Sequence, residues 1–157
     1  MNQFKKPLII LLAVICSVVA LLLIWKSVFT DPNIPRSYTD YEEYYDPNGF
    51  MDWTDFCWYQ YTSADSISWP EDYRQVTEDD ILSIKGYFDN TRDWLKTCDR
   101  LDEYEFDTSS INEGDAWLLF TSEGEPRGNG IYGKYDDYTL YFFDKESSRL
   151  YYLNNNI

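Results

Sequence analysis

Tyr138-Thr139-Leu140-Tyr141-Phe142-Phe143, followed by Asp144-Lys145-Glu146-Ser147-Ser148 and Arg149-Leu150-Tyr151-Tyr152-Leu153, reads as two antiparallel strands joined by a turn. The outer runs are rich in β-branched and aromatic residues, and the middle one has the composition of a connection. The first strand is apolar on both faces, because Leu140 and Phe142 point one way while Tyr141 and Phe143 point the other. A half-solvated antiparallel strand would alternate instead, so both sides of this sheet need cover. A helix can supply one side. The run Phe56-Cys57-Trp58-Tyr59-Gln60-Tyr61, a partner, or tyrosine hydroxyls reaching water can supply the other.

Upstream, Ala116-Trp117-Leu118-Leu119-Phe120-Thr121 adds a third strand to an antiparallel meander, and Phe56–Tyr61 is a fourth β-prone run. Between them the period changes. Ile81, Ile84, Phe88, Leu95 and Cys98 recur at helical spacing, Thr77 with Asp80 forms a capping-box-like start, and Glu78 and Asp79 put negative charge at the positive helix end. The helix is expected from Glu78 to about Thr97, with Gly86 weakening its middle by up to about 1 kcal/mol. The fold class is therefore α+β: one long helix packed on an antiparallel β-meander, in a small domain over residues 47–157. Residues 30–46, with Pro32, Pro35 and tyrosines set among acids, read as a stalk or linker.

Before the stalk, Leu8 to Trp25 run without a charge between Lys5-Lys6 and Lys26. At about 1.5 Å per helical residue they nearly cover a hydrocarbon core of roughly 30 Å. Residues 8–29 are expected to be a transmembrane signal anchor, after a short cytoplasmic N-terminus of residues 1–7. A cleaved signal fits less well, since the run ends without an Ala-x-Ala pattern. A lipid-modified Cys16 fits less well too, because Ile15 stands where a small residue is needed. The slight excess of positive charge before the helix favours a cytoplasmic N-terminus and a domain outside the cytoplasm, with Trp25 at the outer interface. In that oxidising setting Cys57 and Cys98 are expected to form a disulfide, worth roughly 4 kcal/mol of unfolded-chain entropy. The alternative is a pair of unbridged thiols.

The chain carries a net charge of −15, and all 28 acids lie from Asp31 onward. Such a domain repels phosphate backbones and anionic lipid head groups, so no nucleic acid partner is expected. An exported basic protein, a divalent cation or a neutral glycan remains compatible, and solubility alone is the simpler account. The absence of histidine removes Ser-His-Asp, Cys-His and histidine-zinc chemistry. Paired carboxylates for glycan hydrolysis are the one enzymatic alternative, and the acids are too many to choose a pair. Gly128-Asn129-Gly130-Ile131-Tyr132-Gly133-Lys134-Tyr135 overlaps two phosphate-loop patterns, but a β-prone run follows where a helix is required. Its glycines suit a hairpin or bulge. Residues 46–52 lack the glycine and final glutamate of an EF-hand, and 78–80 are explained by the helix start, so no metal or cofactor is expected.

The aromatic content exceeds what a small core needs. Trp53, Trp58, Trp69, Tyr141 and Tyr151 are the candidate interaction aromatics, against the alternative of an aromatic-packed core. The expected function is noncatalytic: a membrane-tethered binding or accessory module outside the cytoplasm, held in the bilayer by residues 8–29, that engages an exported protein or a glycan. An inhibitor or immunity-like protein is one form of it, and a carboxylate-dependent glycan hydrolase is the rival.

Overall fold

The computed structural model describes residues 14–20, 31–46, 53–121 and 137–156. The chain divides into two compact units, residues 1–34 and 35–157. In the first, residues 14–20 are helical and carry half-exposed Val14, Ile15, Val18 and Val19. Among the described residues no helix is long and apolar enough to cross a membrane. The expected anchor of residues 8–29 extends beyond this helical piece on both sides, outside the described residues.

The second unit is α+β, with one long helix and a six-stranded antiparallel sheet. Its strands are β1 (Asp40–Tyr44), β2 (Trp53–Gln60), β3 (Arg74–Gln75), β4 (Ala116–Thr121), β5 (Tyr138–Asp144) and β6 (Arg149–Asn156), and its helix α1 spans Glu78–Thr97. The order across the sheet is β1-β2-β6-β5-β4-β3. The meander β4-β5-β6 is present as the sequence pattern implies, and β2 adds to its open side, pairing Phe56 with Leu153 and Trp58 with Tyr151. The turn between β5 and β6 is tied by Asp144, whose carboxylate accepts from the Glu146 and Ser147 N–H groups at 2.9 and 3.2 Å. Ser148 completes it with φ 54°.

Two expectations are corrected here. Residues 40–44, read as part of a stalk, form the outer strand β1; an edge strand faces solvent along one side, so acids are tolerated there and blur the strand pattern. The run Phe56–Tyr61 does not cover the second face of the sheet, because residues up to Gln60 are a strand within it.

Parity decides which side chains meet α1. Phe56, Trp58, Trp117, Leu119, Tyr138, Leu140, Phe142, Tyr151 and Leu153 form one core with Ile84, Tyr87, Phe88 and Leu95 of the helix. Phe106 closes this side, stacked on Phe88 at 3.9 Å between ring centroids. Each such large apolar side chain contributes about 1.5–3 kcal/mol when fully buried. The Tyr138 hydroxyl fastens helix to sheet, donating to the Tyr87 carbonyl at 3.2 Å and lying 2.8 Å from Thr91 Oγ1.

The helix ends follow their capping residues. At the start, one Asp80 carboxylate oxygen accepts from the Thr77 N–H at 2.9 Å and from its hydroxyl at 2.7 Å. At the end, Arg100 N–H reaches the Leu95 carbonyl at 2.8 Å and Asp99 N–H the Lys96 carbonyl at 3.2 Å, with Asp99 left-handed at φ 58°. This is a Schellman closure built on an aspartate.

On the opposite face Cys57, Tyr59, Leu118, Tyr141, Phe143 and Leu150 are buried outside that core. The segment between β2 and β3 covers part of it: Trp69 lies 4.6 Å from Phe143 and 5.0 Å from Tyr73, while Tyr38 tilts over Tyr59 at 5.2 Å.

The expected disulfide is not formed. Cys57 and Cys98 are both free thiols, the first buried and the second exposed. Cys57 alternates with Phe56 and Trp58, so it points away from α1, whereas Cys98 caps the helix on the other side of the sheet. Two cysteines separated by a sheet cannot approach to the 4.4–6.8 Å Cα spacing, about the usual range, that a bridge requires.

Candidate functional site

The five aromatics singled out in the sequence do not share a surface. Trp58 and Tyr151 belong to the helix-side core. Trp58 donates its indole N–H to Glu42 at 3.2 Å and lies under the Arg149 guanidinium, 4.2 Å from the ring centroid. Tyr141 is buried on the other face, with Tyr152, Phe120 and Tyr73 around it. Trp69 is half-buried as the lid on Phe143. Trp53 stands half-exposed at the start of β2.

The rings that do reach solvent were hidden in the presumed stalk. Tyr41 and Tyr45 are about half exposed, at 50% and 51%, on or beside β1. Asp40, Glu42 and Glu43 are exposed on the same strand. The sheet's own aromatics hold two of these carboxylates in place. Glu42 accepts from the Trp58 indole and from the Tyr44 hydroxyl at 3.1 Å, and Glu43 accepts from the buried Tyr59 hydroxyl at 2.8 Å. Register puts Glu42 opposite Trp58 and Glu43 opposite Cys57, so the two acids project to opposite faces of one strand. Burial and the adjacent Glu43 raise the Tyr38 hydroxyl above its ordinary value, which keeps that phenol neutral. Fixed carboxylates beside tyrosine faces offer an ammonium or guanidinium both ion pairing and ring contact. The sequence signal was the alternation of acids and tyrosines in Asp40-Tyr41-Glu42-Glu43-Tyr44-Tyr45, masked by the prolines before it.

A second feature is a polar cleft of about 250 Å³ where β2 and β5 begin and β4 and β6 end. Trp53, Thr139, Asn154 and Asn156 are among its walls. Among the described residues Asp137 is the one acid lining it. Glycoside hydrolysis uses two carboxyls separated by roughly 5–9.5 Å, and no second acid faces this cleft among the described residues. Behind it, Asp55 is buried, accepting from the Asp46 N–H at 2.9 Å and the Asn154 amide at 3.2 Å; desolvation holds its carboxyl above the ordinary range. Arg100 completes the charge cluster, paired with Glu103 at 2.6 Å and Asp46 at 3.4 Å and donating to the Thr54 carbonyl at 3.1 Å.

Among the described residues no group of three or more histidine, cysteine, aspartate or glutamate side chains is arranged to hold a metal ion. The glycine run at 128–135 and residues 47–52 of the acidic loop lie outside the described residues. Compared with known proteins, the chain matches no family model, no curated protein and no solved structure.

Proposed function

We propose that the chain is a single-pass, membrane-tethered binding or accessory module, its sheet domain outside the cytoplasm, that captures a basic region of another exported protein along β1. Tethering rests on the uncharged run Leu8–Trp25 and its flanking lysines. The capture reading rests on one observation: Glu42 and Glu43 are pinned by hydrogen bonds from Trp58, Tyr44 and Tyr59 at an outer strand that also exposes Tyr41. Pre-oriented acids lose less side-chain entropy on pairing than free ones, which favours a cationic partner. An inhibitor or immunity-like role is one form of this capture.

The test uses the full chain in neutral detergent and a fluorescent peptide alternating lysine or arginine with small residues. Binding should weaken about tenfold between 50 and 200 mM salt and again in the double variant Glu42→Gln/Glu43→Gln. Affinity that ignores both salt and the variant would refute capture at β1. Tethering is tested separately by adding protease to intact cells, where survival of residues 35–157 would refute the orientation.

A further inference from the structure

We propose that the cleft at the end of the sheet is a subsite for a neutral, hydroxyl-rich ring, one residue of a glycan. The inference does not depend on capture at β1. Its basis is cross-strand register. Trp53 of β2 lies directly opposite Asn156 of β6, and Thr139 of β5 directly opposite Asn154 of β6. All four are on the face turned away from α1, since Phe56, Leu140 and Leu153 occupy the alternate positions in the helix-side core. An indole, two amides and a hydroxyl thus form one contiguous patch around the cleft.

The hydrogen-bonding capacity of that patch is only partly used. Asn154 spends one N–H on the buried carboxylate of Asp55, at 3.2 Å, and one lone pair on the Thr139 hydroxyl, at 3.0 Å. These two bonds fix which way the amide faces, and they leave it one donor and one acceptor. The Asn156 amide makes no side-chain hydrogen bond among the described residues. A rigid donor–acceptor pair beside a second open amide suits adjacent hydroxyls, which donate and accept alike. The Trp53 ring supplies an apolar face for the C–H side of a sugar.

Charge and size narrow the class. A net charge of −15, with Asp137 in the wall, disfavours phosphates, uronates and nucleotides. A cleft of about 250 Å³ is smaller than the roughly 300–1,000 Å³ of sites for drug-sized molecules, so it holds about one ring rather than a whole oligosaccharide.

Full-length protein in a detergent without a sugar head group is titrated with cellotetraose and with chitotetraose, and side-chain amide and indole resonances are followed by NMR. At least one probe should shift the Asn154, Asn156 and Trp53 signals at millimolar concentration. Trp53→Ala should weaken that probe about tenfold, and Trp53→Phe, which keeps a ring, should weaken it less. Asn156→Ala sits at a strand end and tests the amide in a variant expected to fold. No shift with either probe, shifts confined to β1, or binding by Trp53→Ala and Asn156→Ala as tight as by the unsubstituted protein would each overturn the proposal.

Discussion

Cys57 and Cys98 show how a single unit of strand parity changes chemistry. Burial pushes the Cys57 thiol up to about 12, so at neutral pH it is a protonated, inert group beneath Tyr45 and Tyr59. Cys98 is exposed at the helix end. In a Cys16→Ser background, maleimide should modify Cys98 within minutes and Cys57 only on unfolding, read by mass spectrometry. A bridged pair would resist until reduced. Sequence reasoning reached the two cysteines and missed their separation, because spacing along the chain does not reveal on which side of a sheet a strand residue points. Arg100 was invisible for a related reason. Its partners Asp46 and Thr54 lie far away in sequence, and its side chain is only 16% exposed. Replacing Arg100 with Met removes the cation that pairs with Asp46 and Glu103 at a partly buried site, which should cost about 2–4 kcal/mol in urea denaturation. A loss below about 0.5 kcal/mol would show that the ion pairs contribute little net stability.

At the level of elements, helix α1 was the most legible part of the chain, and its bounds Glu78–Thr97 match the pattern of caps and apolar spacing. Local signals suffice there because capping bonds join neighbours in sequence. The strands β4, β5 and β6 were legible for the same reason, each a dense β-prone run between turn residues. By contrast β3 is two residues long, and in β2 the polar pair Thr54-Asp55 separates Trp53 from the β-prone run that follows, so neither β3 nor the start of β2 carries a hydrophobic signature; Thr54 is buried in β2 because its hydroxyl meets Asn155 at 2.7 Å, a partner visible only in the folded sheet. The helix end retains a correctable defect. Asp99 adopts a left-handed conformation that glycine tolerates better, and it places negative charge at the negative helix terminus. Asp99→Gly should therefore stabilise the domain by about 0.5–1 kcal/mol, seen as a higher urea midpoint at unchanged slope. The helix–sheet joint makes the opposite prediction. Tyr138→Phe removes the hydroxyl shared by Thr91 and the Tyr87 carbonyl in a buried interface, and should cost about 1–3 kcal/mol.

Across the molecule, charge outweighs any single contact as a lever on stability. The chain joins its earliest long strand to its last, β2 beside β6, and no local pattern could announce that pairing; the excess of acids, however, is plain in the sequence. Those acids repel one another in the compact state more than in the expanded one. Asp55 and Asp115 act in the same direction, because burial raises both carboxyls above their ordinary value of 3.8. An acid that holds its proton more tightly when folded makes stability fall as pH climbs from 3.8 to the raised folded value, with no further loss from that group above it. Acidification from neutral pH should accordingly raise the melting temperature. Added salt at pH 7 should raise it as well, by about 2–4 °C for each kcal/mol of repulsion removed. Scanning calorimetry at pH 7 and 4, each at low and high ionic strength, separates the two effects. The salt increment should shrink at pH 4, where fewer carboxylates remain charged. In Asp55→Asn the pH increment should shrink while the salt increment at pH 7 stays nearly whole. An unchanged or falling melting temperature on acidification would mean that ion pairs, rather than repulsion and buried carboxylates, govern the fold near neutral pH.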